Sequence, residues 1–301
     1  MQALTAAEIA SQPDLWPRAA ELAAEAAELL PARGARACVI GCGTSLFMAQ
    51  SWAALREAVG HGETDAFPAS ELPDARPYDV VVAISRSGST SEVLHALART
   101  NAQRTLAITT DTDAAVAEAA DDAVVLDFAD ERSVVQTRFA TSALALLREA
   151  IQPGAAERAA ADARLALERP LPVDPADVEQ WTFLGRGWTI GLAQEAALKL
   201  RESAQAWTEA YSTFEYRHGP ISIAAPGRVV WTLDAVNGSL ADELRHIGAR
   251  VVGDDLDPLA SLVLAQRTAV ALAAARGLDP DRPRNIARAV VLADHDLEVL
   301  P

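Results

Sequence analysis

Seven short apolar runs constrain this chain more than any other feature. Ala37–Ile40, Asp79–Ile84, Thr105–Ile108 and Val124–Phe128 lie in the first half; Trp181–Leu184, Val229–Leu233 and Arg250–Val252 lie in the second. Helical stretches separate them, and the runs do not alternate apolar with polar residues. Such runs are parallel strands covered on both faces. The expected fold class is therefore α/β, each sheet flanked by helices. Ala37–Ile40 leads through Gly41-Cys42-Gly43-Thr44-Ser45 into a helix over Leu46–Val59. Asp79–Ile84 leads through the polar turn Ser85–Thr90 into a helix over Ser91–Arg99. Upstream, a helix rich in Ala, Glu and Leu is expected over 14–30, ending near Pro31 and Gly34.

The pattern restarts after a proline-rich, acidic stretch at 168–180, which holds Pro170, Pro172 and Pro175. Trp181–Leu184, Gly185-Arg186-Gly187 and a helix from Thr189 to Ala204 repeat the strand–turn–helix order, and a long helix is expected over Leu259–Arg276. Shifting residues 39–54 by 144 positions gives five identities in sixteen, among them Gly41 on Gly185 and Gly43 on Gly187. Two related α/β halves follow, which suits a length of 301 residues. Their expected extents are 1–167, with the N-terminal helix, and 168–301, with a C-terminal tail from Asp294.

Charge removes several classes of function. Lys and Arg number 26 against 42 Asp and Glu, a net charge of −16. Such a surface repels nucleic acid and anionic membranes, so neither is an expected partner. No apolar run reaches about 18 residues, and Met1–Ala10 lacks the basic and apolar regions of a signal peptide. Cys38 and Cys42 are too few to close a zinc site and are expected as reduced thiols. A cytoplasmic protein with no metal is the expectation.

Four motifs carry chemistry. Ser85-Arg86-Ser87-Gly88-Ser89-Thr90 sets four hydroxyls in six residues between a buried strand and a helix. A helix cap needs one hydroxyl; four, with backbone N–H groups at a helix N-terminus, suit a phosphate. Gly41-Cys42-Gly43-Thr44-Ser45 has only the start of a dinucleotide fingerprint, since Leu46 holds the third glycine position. Glu195, Lys199 and Glu202 lie at i, i+4 and i+7 on one helix face, which alone reads as a solvated surface with a Glu–Lys pair rather than as a site. His218, before Gly219-Pro220, sits at a turn, and histidine is a residue type suited to acid or base work at neutral pH.

Together the segments GCGTS (41–45), SRSGST (85–90), SVVQT (133–137), EAALKLRE (195–202), RHGP (217–220) and PRNIAR (283–288) resemble, in order, the sugar isomerase (SIS) domain family. The resemblance is to the tandem form, as in the isomerase half of glucosamine-6-phosphate synthase and in sugar-phosphate deaminases and isomerases. It implies two SIS subdomains and a homodimer that binds a phosphosugar. Ser85, Arg86, Ser87, Ser89 and Thr90 then fall at the phosphate, and Thr44, Ser45, Val134, Gln136, Lys199 and Arg288 around the sugar. Glu202 matches the base that moves a proton between C1 and C2. His218 matches the histidine that opens the ring, supplied by the neighbouring subunit. No cofactor is required, because proton transfer through an enediol or enolamine needs only a placed carboxylate.

Departures from the family matter. No glutaminase segment with a cysteine nucleophile precedes the first helix, so ammonia is not expected from glutamine. Arg288 stands where the synthase has a lysine that forms an imine, and arginine stays protonated. The expected function is isomerisation or deamination of a ketose or amino-sugar 6-phosphate. A non-catalytic phosphosugar sensor is the alternative, and a dinucleotide-dependent oxidoreductase a third reading that NAD(P) titration would test.

Overall fold

The computed structural model describes residues 3–234 and 238–297. Glu298–Pro301, the end of the expected C-terminal tail, lie outside the described residues. In chain order the elements are α1 (Leu4–Glu25), β1 (Ala37–Gly41), α2 (Thr44–Ala58), β2 (Thr64–Pro68), β3 (Val80–Ile84), α3 (Ser91–Arg99), β4 (Arg104–Thr109), α4 (Ala115–Ala119), β5 (Asp122–Val125) and α5 (Arg138–Glu149). Then follow α6 (Ala155–Glu168), β6 (Gln180–Gly185), α7 (Thr189–Ala204), β7 (Thr208–Ser212), β8 (Arg228–Thr232), α8 (Gly238–Ile247), β9 (Arg250–Val252), α9 (Pro258–Ala275) and α10 (Asp294–Leu297).

These elements form two compact units. The first takes residues 14–132, 138–157 and those from 287 onward; the second takes those up to Pro13, 133–137 and 158–286. In the first, five parallel strands run in the order β2-β1-β3-β4-β5. One face buries Cys38, Ile40, Val81 and Ala83 under Val93, Ala96 and Leu97 of α3 and Val116 of α4. Each fully buried Val, Ile or Leu contributes roughly 1.5–3 kcal/mol by leaving water. In the second, four parallel strands run β7-β6-β8-β9. Leu184 and Val230 pack there with Leu240 and Leu244 of α8.

The two sheets repeat more than their order. β1 pairs β2 from Ala37↔Thr64 to Gly41↔Pro68, and β6 pairs β7 from Trp181↔Thr208 to Gly185↔Ser212. Every partner in the second set lies 144 residues beyond its counterpart. The shift also lays Thr64-Asp65-Ala66-Phe67 on Thr208-Glu209-Ala210-Tyr211, so the repeat extends into two strands that the apolar runs do not reveal.

The first helix departs from expectation. It runs over 4–25 rather than 14–30, although Pro13 and Pro17 lie inside it. Proline leaves the carbonyl four residues back without its helical donor. Here Gln12 Nε2 donates to Ile9 O at 3.0 Å and an Arg164 Nη donates to Pro13 O at 3.3 Å, so side chains fill both gaps. The strand expected over Val124–Phe128 is instead Asp122–Val125, because β4 ends at Thr109, the partner of Val125. Phe128 belongs to a 3-10 turn, Asp127–Ala129.

α9 is 18 residues long and apolar enough to cross a bilayer by composition, yet it is 67% buried within the fold. That burial accounts for its hydrophobicity, which is that of a core helix. Both cysteines are free. Burial pushes the Cys38 thiol up to about 12, helped by Asp65, and the Cys42 thiol up to about 11, helped by Glu92.

Candidate active site

In the first sheet the strand order reverses between β1 and β3, the place where open α/β sheets bind ligands outside the strands' carboxyl ends. β1 runs into the 41–45 turn and β3 into the 85–90 turn. Glycine is required twice in the first turn. A Cβ on Gly41 would lie 2.8 Å from Ser45 atoms, and Gly43 has φ +54°. The second sheet makes the same demands: a Cβ on Gly185 would lie 2.3 Å from Thr189 O, and Gly187 has φ +57°. The paired glycines therefore have a structural cause in both units. Thr44 and Ser45 open α2 and are buried.

The 85–90 turn is a network of its own hydroxyls. Gly88 N–H donates to Ser85 Oγ at 3.2 Å, Ser89 N–H to Ser87 Oγ at 3.4 Å, and Ser87 Oγ lies 3.3 Å from Thr90 Oγ1. From behind, Thr110 Oγ1 donates to Arg86 O at 3.0 Å and Val116 N–H to Gly88 O at 2.9 Å. Thr90 is the N-cap of α3, yet its side chain makes no capping bond. Ser85 and Arg86 are buried, Ser87 and Thr90 are half-buried and Ser89 is exposed. The more open side of the turn thus carries the Ser87, Ser89 and Thr90 hydroxyls at the start of a helix, donors an oxyanion takes.

Arg288 reaches the same region of the first unit. Its guanidinium donates to Glu131 O and to Asp130 Oδ1, and its carbonyl accepts from Arg86 Nη2 at 3.1 Å. The adjoining residues add two bonds at the start of α3: Ser91 N–H to Val290 O at 3.2 Å and Leu292 N–H to Ser91 Oγ at 3.0 Å.

In the second unit the solvated-face alternative for α7 fails. Glu195 and Lys199 have side chains 1% exposed, and Glu202 is 19% exposed. Lys199 Nζ stands 3.3 Å from Glu195 Oε1 and 2.5 Å from Glu202 Oε2, and donates to Gln136 O at 2.9 Å. The segment holding Val134 and Gln136 is therefore tied to α7. Ser133 N–H and Oγ both donate to the Glu8 carboxylate. The chemical result is an ammonium held between two carboxylates, of which Glu202 keeps the more open surface.

His218 follows the 3-10 turn Glu215–Arg217 and precedes Gly219, whose φ is +125°. It is exposed, and its ring makes no hydrogen bond or ion pair among the described residues. It is not brought to Lys199 or Glu202. One fully buried acid, Glu131, escapes the sequence reading, and Glu195, singled out there only as part of a helix face, is 1% exposed. Position is the signal for Glu131, which stands two residues before the 133–137 motif.

Against this geometry the comparisons with known proteins are specific. Residues 28–149 match the family model described as "SIS domain". The chain carries a SIS domain there, on the first sheet with both of its turns. It is also homologous to glutamine–fructose-6-phosphate aminotransferases. The one from Methanothermobacter thermautotrophicus is 27% identical over 85% of this chain and 52% of its own length. The chain spans about half the length of the curated relatives it matches. Among solved structures, glucosamine-6-phosphate deaminase from Thermotoga maritima superposes with TM-score 0.81 at 26% identity, covering 96% of this chain and all of that one. Tagatose-6-phosphate ketose/aldose isomerase from Escherichia coli gives TM-score 0.80 at 22% identity over 95% and 96%, a likeness of fold.

Proposed function

We propose that this chain is a sugar-phosphate aldose–ketose isomerase or amino-sugar-phosphate deaminase. The observation that carries it is the buried Glu195–Lys199–Glu202 stack. Binding a phosphosugar does not need a carboxylate held against a buried ammonium. Moving a proton between adjacent carbons needs a carboxylate fixed in place, and the ion pair with Lys199 fixes Glu202. Kinship to proteins named as isomerising aminotransferases and as a deaminase supports the same reading.

In the proposed reaction the 85–90 turn takes the phosphate through Ser85, Ser87, Ser89 and Thr90. Thr44, Ser45, Val134 and Gln136 line the sugar. Glu202 takes the proton from one of C1 and C2 and returns it to the other through an enediol or enolamine. Lys199 stabilises the oxyanion and the carboxylate in turn. His218 opens the ring from a neighbouring subunit of a homodimer, which suits its exposure and open ring nitrogens. Arg288 orients and forms no imine.

The test is turnover of glucosamine-, galactosamine- and fructosamine-type 6-phosphates, reading both ammonia and sugar-phosphate isomers. Glu202→Gln should lower kcat by about 100-fold or more while leaving phosphosugar binding intact. Binding without turnover across the panel would refute the enzyme and leave a sensor; turnover unaffected by Glu202→Gln would refute Glu202 as the base.

A further inference from the structure

We infer that Arg86 is a positioning residue and not a phosphate ligand, and that Glu131 is the buried counter-charge that holds it. The inference rests on reading 85–90 as the phosphate turn and deepens that reading. Arg86 sits between two candidate phosphate hydroxyls, where a guanidinium would ordinarily be taken for an anion's partner. Its side chain is 3% exposed and that of Glu131 is 0% exposed, with Nη1 3.7 Å from Oε2. Nη2 donates to Arg288 O at 3.1 Å. The guanidinium is thus committed on two sides to the interior of its own unit, while Ser87, Ser89 and Thr90 keep the more open surface.

Glu131 is itself held. Its Oε1 accepts from Arg138 N–H, at the first residue of α5, at 2.8 Å, and its carbonyl accepts from the Arg288 guanidinium. Glu131 therefore joins the phosphate turn and the start of α5 through its carboxylate, and Arg288 through its backbone carbonyl. The Arg86–Glu131 pair carries no net charge. The phosphate is met by hydroxyls and backbone N–H groups, whose positions the pair fixes through the Arg86 backbone. Inside a chain of net charge −16, such a cradle needs no exposed cation.

A charge cycle tests this on the full chain, with inorganic phosphate as the probe, by calorimetry and thermal unfolding. E131Q leaves the Arg86 charge uncompensated beside the turn; it should tighten phosphate binding by about threefold or more and lower Tm. R86Q leaves a buried carboxylate unpaired; it should lower Tm and weaken phosphate binding. R86Q/E131Q restores a neutral, hydrogen-bonding pair and should return both readouts towards the parent, so the single effects are not additive.

A double variant that regains its Tm yet binds phosphate about tenfold more weakly than the parent would make Arg86 a direct ligand and overturn the inference. Should R86Q fail to fold, E131Q decides alone: unchanged or weaker phosphate binding overturns it. A parent chain that binds neither inorganic phosphate nor any phosphosugar removes the reading of the turn, and this inference with it. A parent that binds both while the cycle fails removes the inference alone.

Discussion

Two glycines that look alike in the sequence are needed for different reasons. At Gly185 the obstacle is another atom, since an added Cβ would sit 2.3 Å from Thr189 O. At Gly187 the space is open and the obstacle is the backbone, with φ +57°. Gly187→Ala should cost about 1 kcal/mol, the left-handed penalty of an ordinary residue. Gly185→Ala must also move the first turn of α7 and should cost roughly 2–3 kcal/mol. Urea midpoints of the two variants check the order; equal losses would mean that the 185–189 turn relaxes freely. At this scale the sequence exposes motif residues well and buried acids badly. Ser85–Thr90 stands out because four hydroxyls in six residues have no common structural cause. Glu131 does not, because among 42 acids a fully buried carboxylate looks like any other. Only contact with Arg86 sets it apart; for Glu195 the spacing marks the face and the contact with Lys199 shows it to be buried.

Elements were legible where both neighbours and punctuation agreed. α3 and α7 occupy the expected spans, each opened by a polar or glycine turn. β2 and β7 were not legible: both are edge strands, buried at the first residue and only partly after it, so their mixed composition lacks an apolar run. α1 hides its first ten residues behind Pro13, because Gln12 and Arg164 supply donors that no local rule anticipates. Its start depends on a distant residue as well. Asp281 accepts from Leu4 N–H at 2.7 Å, Thr5 N–H at 2.8 Å and Thr5 Oγ1 at 2.7 Å, and so caps α1 from 276 residues away. Burial pushes this carboxyl's pKa up, but the bonds from Thr5 and Leu4 outweigh it and hold the pKa below the usual value. A depressed pKa means stability present above the unfolded value of about 3.9 and lost as pH falls through the folded one. Asp281→Asn should therefore cost about 1 kcal/mol at neutral pH, and the gap to the parent should close below about pH 4. A gap independent of pH in denaturant titrations would assign the effect to shape rather than charge.

For the molecule as a whole, charge and duplication pull on different properties. A net charge of −16 opposes compaction through self-repulsion. Raising sodium chloride from about 0.02 to 0.5 M shortens the Debye length to a few ångströms and should raise Tm by a few degrees. A lower Tm in salt would show that local surface ion pairs, such as Arg76–Asp65, outweigh the global term. Duplication shows instead in the shared 144-residue offset of two strand pairings, which sequence identity alone only hints at.

Each compact unit is assembled from three separate stretches of chain, which limits where the gene can be divided. A cut in the proline-rich stretch at 168–180 severs the second unit from its own pieces at the start of α1 and at 133–137, and leaves the first without the residues from 287 onward. Expressed apart, the two products would each lack part of a compact unit. Expressed together, they should rejoin as a split protein, each chain completing the other.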